Sequence, residues 1–346
     1  MSVRVRCGVL LGLLFTITAA MPASGAIVAT GFFSGTVERF DPVSGQQSTF
    51  ATIASAADPF PGLAGIAFHS QSNVLYVSAR ISHRIYRVDG TSGAVLGFTQ
   101  LADGSSPAGL AVDSSGNLYV ANAGGNTVSV LDSAGNQTGS IGLPDMGLGD
   151  NFPSGLAFDS LGRLMISTFA GAGVFRYNPA DFTMLPFASN PTANAQIAVD
   201  GGGNVYVGGA AFSNDVLKFT EDGAEIGSPF LTIDETLLPQ PPLGYTSMDF
   251  TSPSGVVIDA DGNLIVAALG RTNPFEGGDN FQSNGGLWKF SPDGTLLQTF
   301  GTGITPLSGV AMLTAIPEPS SIAVLSALGL SAVVARYRRT KKSKVC

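Results

Sequence analysis

One arrangement of apolar and polar positions recurs along the chain. A short apolar run opened by glycine, as in Gly109-Leu-Ala-Val, ends on an Asp-x-x-Gly turn and leads into a second run alternating around Leu, Tyr and Val, as in Asn117-Leu-Tyr-Val-Ala121. Alternation with a period of two marks strands, and the Asp and Gly between them supply turn chemistry. The same pair opens at Gly65, Gly155, Gln196 and Gly255, and a sixth first run, Gly309-Val-Ala-Met, has no second run after it. A third strand follows in each unit, as in Thr127-Val-Ser-Val-Leu131 or Gly286-Leu-Trp-Lys-Phe290. Turns such as Ser-Pro-Asp293-Gly294 then lead to a fourth, their glycines providing the left-handed positions that hairpins need.

Successive starts lie 44, 46, 41, 59 and 54 residues apart, the repeat length of a four-stranded propeller blade. Residues 27–52 read as second, third and fourth strands without a first, and 309–312 as a first strand without the rest. Joining the two completes a sixth blade and leaves no open edge. The prediction is an all-β, six-bladed propeller over residues 27–313 with velcro closure from both termini. It is one domain, because a blade cannot bury its faces alone.

Composition and charge divide the chain into a body and two ends. Of 346 residues 44% are hydrophobic and 12% charged, enough apolar surface for a large core and too little charge for a disordered chain. Eight of the 17 basic residues lie in the terminal segments, leaving 9 against 24 acidic residues over 27–315, a charge of −15. So acidic a body repels phosphate backbones, which argues against a nucleic-acid partner.

Residues 1–26 join Arg4 and Arg6 to the apolar run Val9–Ile17 and the small residues Ala23-Ser-Gly-Ala26, the layout of a secretory signal cut after Ala26. Residues 314–346 contain Pro317-Glu318-Pro319, an uncharged run from Ser320 to Ala335, and a tail with Arg336, Arg338, Arg339 and three lysines. A helix over those 16 apolar residues rises about 24 Å, a little short of a hydrocarbon core, with its basic end on the cytoplasmic side. This end resembles the PEP-CTERM sorting signal of exported bacterial proteins. That resemblance implies a transmembrane sorting helix, a processing peptidase of the exosortase type acting near the motif, and a destination at the cell surface or in the extracellular matrix. Cys7 and Cys346, the two cysteines, both lie in segments expected to be removed, so neither disulfide nor thiol chemistry is expected of the mature protein.

The repeat itself resembles the NHL-repeat propellers, with Tyr119-Val-Ala-Asn122-Ala-Gly-Gly-Asn126-Thr-Val the closest stretch, and more loosely the gluconolactonase, strictosidine synthase and streptogramin lyase propellers. The looser resemblance, to lactonase-like and lyase-like propellers, implies one divalent cation, Ca2+ or Mg2+, held near the axis by Glu, Asp and Asn side chains. Asn122 is the clear candidate ligand at the end of a second strand. Its matching places are read as Ser78, Ser167, Gly208 and Ala267, which offer little to a cation.

Other candidate chemistry is sparse. His69 is read as a solvent-facing turn residue, and His83, between second and third strands, as a histidine without an identifiable catalytic partner. Asp259-Ala-Asp261-Gly-Asn263 lacks the remaining oxygens of a calcium loop and falls where the other blades build a turn. The two largest insertions, 232–253 and 269–285, belong to one face beside one blade and carry Asp234, Glu235, Asp249, Arg271, Glu276 and Asp279 among aromatics. Carboxylates beside aromatic rings suit a hard cation or a sugar-like ligand. Two functions stay open: a non-catalytic surface or matrix module binding a protein or polysaccharide, and a metal-dependent lactonase-like or lyase-like enzyme.

Overall fold

The computed structural model describes residues 25–144, 151–169, 173–189, 194–209, 213–227, 229–238, 252–270 and 285–313. The first 24 residues, and 314–346 with Pro317, Glu318 and Pro319, lie outside the described residues. Among the described residues no helix is long and apolar enough to cross a membrane.

Twenty-four strands form six four-stranded antiparallel sheets among these residues. Blade I takes β1 (Ala26–Gly31), β2 (Thr36–Phe40) and β3 (Gln47–Thr52) from the start of the chain. Blade II is β4 (Leu63–His69), β5 (Val74–Ala79), β6 (Arg84–Asp89) and β7 (Val95–Gln100); blade III is β8 (Pro107–Val112), β9 (Leu118–Asn122), β10 (Thr127–Leu131) and β11 (Gln137–Gly142). Blade IV is β12 (Pro153–Phe158), β13 (Leu164–Thr168), β14 (Val174–Asn178) and β15 (Thr183–Ala188); blade V is β16 (Asn194–Val199), β17 (Val205–Gly209), β18 (Asp215–Phe219) and β19 (Leu231–Thr232). Blade VI is β20 (Gly255–Ile258), β21 (Leu264–Ala268), β22 (Gly285–Phe290) and β23 (Leu296–Ile304), after which β24 (Leu307–Leu313) returns to blade I.

The velcro closure is as the repeat requires: the first sheet runs β24-β1-β2-β3, with Ala26 opposite Leu313 and Ala29 opposite Val310. The inner strands close a ring, β4 packing on β8, β8 on β12, β12 on β16, β16 on β20, β20 on β24, and β24 back on β4. Each of six hydrophobic clusters lies between two neighbouring blades. Val28, Leu63 and Leu75 fill the I–II junction, Leu118, Ile85 and Val120 the II–III junction, and Trp288 with Tyr206 the V–VI junction. The core therefore belongs to the contacts between blades, which is why the ring folds as one unit.

Hydroxyls staple the inner strands. Ser78 Oγ accepts from Gly65 N (2.7 Å) and donates to Ala108 O of the next blade (2.6 Å). Ser167 donates to Ala195 O (2.5 Å), Thr30 to Ala64 O (2.7 Å) and Ser254 to Leu307 O (2.9 Å). Each satisfies a carbonyl on an inner-strand edge that no strand covers.

Candidate functional site

Strand order gives the ring two faces. Turns joining first to second and third to fourth strands open on one, here the turn face. Connections from second to third strand and from one blade to the next open on the other, the loop face. Gly25 and Leu313 both lie at the turn face, because β1 leaves it and β24 arrives at it.

The turn face repeats one device. Asp113 accepts Ser115 N and Asn117 N on Oδ1 (2.9 and 2.8 Å) and Asn117 Nδ2 on Oδ2 (2.8 Å). Asp159, Asp200 and Asp259 bind the second and fourth residues after them in the same way. Asp259 also meets Lys289 Nζ at 2.7 Å. Burial pushes the Asp259 carboxyl up, but Lys289 and the Asn263 donors outweigh it and hold it below the ordinary range. The stretch from Asp259 to Asn263 is thus a turn, its donors already bonded within the loop.

His69 departs from its expected solvent-facing place. It is half-buried, its Nδ1 lies 2.7 Å from Ser72 Oγ, and its ring packs beside Gly116 of the next blade. The neighbouring turn fits against the ring, and that contact takes the place of solvent. His83 sits at the loop face with a positive φ of 54°, its Nδ1 facing Ser106 N at 3.1 Å. This contact ties two loops together and presents no catalytic partner among the described residues.

Asn122 does not point to the axis. It is buried, its Nδ2 donates to Ser129 Oγ (2.8 Å) and Thr127 Oγ1 (3.1 Å) on β10, outward from the axis, and it is not among the residues lining the channel. Its Oδ1 is buried without a hydrogen-bond partner, a lone oxygen that offers a cation one ligand. The matching places also need correction by one residue. Asn122 pairs with Pro107 as Thr168 pairs with Pro153 and Ala79 with Leu63, so Ser78 and Ser167 correspond to Ala121. A one-residue slip along a strand moves a side chain to the opposite side of its sheet, and the Ser78 and Ser167 column makes the staples between blades. Among the described residues no group of three His, Cys, Asp or Glu side chains could hold a metal ion. Among the described residues the axial Ca2+ or Mg2+ of the gluconolactonase-like resemblance is therefore offered no cluster of acidic or histidine side chains.

The two insertions do spring from the loop face, one between β19 and β20, the other between β21 and β22. At their roots Ser252 N bonds Ser213 O and Leu269 N bonds Ser252 O. Asp234 caps the short 3-10 turn Glu235–Leu237, accepting Thr236 N at 2.8 Å, and that bond holds its carboxyl below the ordinary range. Asp249, Arg271, Glu276 and Asp279 lie outside the described residues.

Sequence patterning missed an aromatic cluster on the loop face. Phe32 and Phe33, from the β1–β2 connection, meet edge-on at 5.0 Å, and Phe33 stacks on Phe60, from the β3–β4 connection, at 5.9 Å. Phe60 and Ile81 are 39% and 50% exposed, and Ile81 lies over Gly62. Asp58 fixes the Phe60 loop, accepting from Arg84 (3.0 Å) and the Tyr86 hydroxyl (2.9 Å). Across the ring, on blade IV, Phe152 and Phe169 are also partly exposed and share a backbone bond of 2.9 Å. Phe152 holds a left-handed φ of 47°, a strained position for an aromatic residue. The available signal was apolar residues in Gly31-Phe-Phe-Ser34 and Pro59-Phe-Pro61, where turns are ordinarily polar.

This architecture defines a six-bladed β-propeller. In sequence, residues 46–148 match the family described as SMP-30/Gluconolactonase/LRE-like region. No curated protein is significantly similar to the chain in sequence. Among solved structures it is similar to a nidogen/laminin complex (15% identity, 84% of this chain and 98% of that chain, TM-score 0.60). It is also similar to a protein of unknown function from Bacteroides caccae (10%, 84% and 100%, 0.58) and to virginiamycin B lyase from Staphylococcus aureus (12%, 86% and 97%, 0.51). At these identities the likeness is one of fold.

Proposed function

We propose that the protein is an exported, surface-sorted propeller that binds a polysaccharide through its loop face without catalysis. The observation that carries this reading is the partly exposed cluster of Phe32, Phe33, Phe60 and Ile81 on the face opposite Gly25 and Leu313. Aromatic faces stack on the apolar sides of sugar rings at small entropic cost, and exposed apolar groups gathered in one place mark binding surfaces. The −15 charge of the body disfavours polyanions. Export and sorting rest on the signal-like residues 1–26 and the PEP-CTERM-like end, with an exosortase-type peptidase as partner and the membrane as a transient anchor.

The test is sedimentation of the purified full chain with an insoluble neutral glucan. The substitutions Phe33→Ala, Phe60→Ala and Ile81→Ser together are expected to lower the bound fraction at least tenfold with the circular dichroism spectrum unchanged. Undiminished binding by that variant, or none by the parent chain, overturns the reading; capture of a protein partner instead would assign the face to protein binding. The match of residues 46–148 to the gluconolactonase-like family favours a second reading, a metal-dependent lactonase-like or lyase-like enzyme. It requires bound Ca2+ or Mg2+ and turnover of a lactone, both directly measurable.

A further inference from the structure

Five of the six inner strands carry glycine where they crowd together: Gly65, Gly109, Gly155, Gly255 and Gly309. The crowding is severe. A Cβ on Gly65 would lie 2.1 Å from Ala108 O, and one on Gly309 would lie 2.4 Å from Ala64 O. Blade V breaks the series with Gln196, whose backbone N–H donates to Ser254 O of blade VI at 3.0 Å.

Its side chain reaches farther. Gln196 Oε1 accepts from Val310 N of β24 at 3.3 Å, and Nε2 lies 2.8 Å from where a Cβ of Gly309 would stand. Blades V and I are not neighbours, since blade VI lies between them, so this bond spans the central channel past blade VI. Val310 N belongs to the edge of β24 that no strand covers, and Gln196 supplies its acceptor. The large side chain fits because Gly309 leaves room for it.

The same residue ends the axial channel. A cavity of about 370 Å3 is lined from Gln196, Gly109 and Val310 down to Phe68, Phe158 and Met312 at the turn face. No residue on the loop-face side of the glycine level lines it.

We infer that Gln196 is an axial plug and latch. It fills the axial space in which gluconolactonase-like relatives would hold a cation, closes the channel toward the loop face, and ties the closing strand to blade V. The amide does structurally what an axial ion would do, joining blades across the centre with a neutral group that needs no counter-charge. This inference is independent of what the loop face binds.

The test is residue-resolved hydrogen exchange on the full chain, with metal content measured on the same sample. Gln196→Met fills the space but cannot accept the bond, and Gln196→Gly restores the residue of the other five blades, so one of the two serves if the other folds poorly. Exchange at the Val310 amide is expected to accelerate at least tenfold relative to the other β24 amides, and the parent chain dialysed against Ca2+ and Mg2+ is expected to hold less than about a tenth of an ion. Unchanged Val310 exchange in a folded variant overturns the latch. About one ion per parent chain overturns the plug, whatever the loop face binds.

Discussion

The turn face and the loop face are built by one set of strands and differ in how regularly they place their polar and apolar groups. On the turn face one Asp position recurs, bonded into its own turn: Asp113, Asp159, Asp200 and Asp259 repeat one geometry, and Asp41, Asp89 and Asp132 cap the outer hairpins. On the loop face Phe60 with Ile81, and Phe152 with Phe169, stand partly exposed in groups on connections of unequal length, whereas the exposed apolar residues Val43, Leu161 and Phe182 of the turn face sit on separate turns. The comparison teaches that a repeat protein keeps its stabilising chemistry where the pattern is uniform and gains individuality where it varies.

The strongest way to break the comparison is Asp259→Ala. It removes the bonds to Asp261 N, Asn263 N and Asn263 Nδ2 together with the partly buried Lys289 pair. A loss of about 2 kcal/mol in urea unfolding is expected; a loss no greater than that of an exposed loop-face substitution would erase the distinction between the faces.

A second test is acid. The carboxyls of Asp41 and Asp89 are held below the ordinary range chiefly by backbone bonds from Ser44 and Ser92, and that of Asp132 by the Asn136 side chain. Groups depressed in the folded state bind fewer protons than in the unfolded chain. Their stabilisation is therefore complete above the unfolded pKa near 4 and is lost as pH falls through their folded values. The urea midpoint should hold steady from pH 7 to about 5 and decline below about 4, with a shallower decline in Asp132→Asn. A midpoint that stays flat to pH 2 would remove the turn face from the account of stability.

The smallest expected effect is on the loop face. Ser106 holds a left-handed φ of 45° before β8. Ser106→Gly is expected to raise stability by about 0.5 kcal/mol, relief of backbone strain outweighing the entropy of glycine. A loss of 1 kcal/mol or more by the same urea measurement would show that the loop face, too, is built for stability.

Strands, blade count and closure were legible because they follow from periodicity: Gly109-Leu-Ala-Val-Asp113 and its counterparts alternate the same way wherever a blade must bury both faces. The site was less so. Position in the repeat matches Asn122 with Ser78 and Ser167, whereas strand register sets it level with Ala79 and Thr168. Gln196 was visible as the break in a glycine series, but the partner of its side chain depends on ring closure, which brings Val310 within reach from 114 residues away. The Phe32–Phe33–Phe60 cluster joins two connections on either side of β2 and β3, and no local pattern announces their meeting.

That Gly25 and Leu313 share one face has a mechanical consequence. If the body is held at its C-terminal end and pulled through a ligand on the loop face, the force runs along β24. Antiparallel ladder bonds lie across the strand direction, so the bonds from β24 to β1 are loaded in shear and share the load instead of opening one after another. The strand that closes the ring is then also the strand that bears the tension, held along one edge by β1 and braced along the other by the Gln196 amide and the Ser254 hydroxyl.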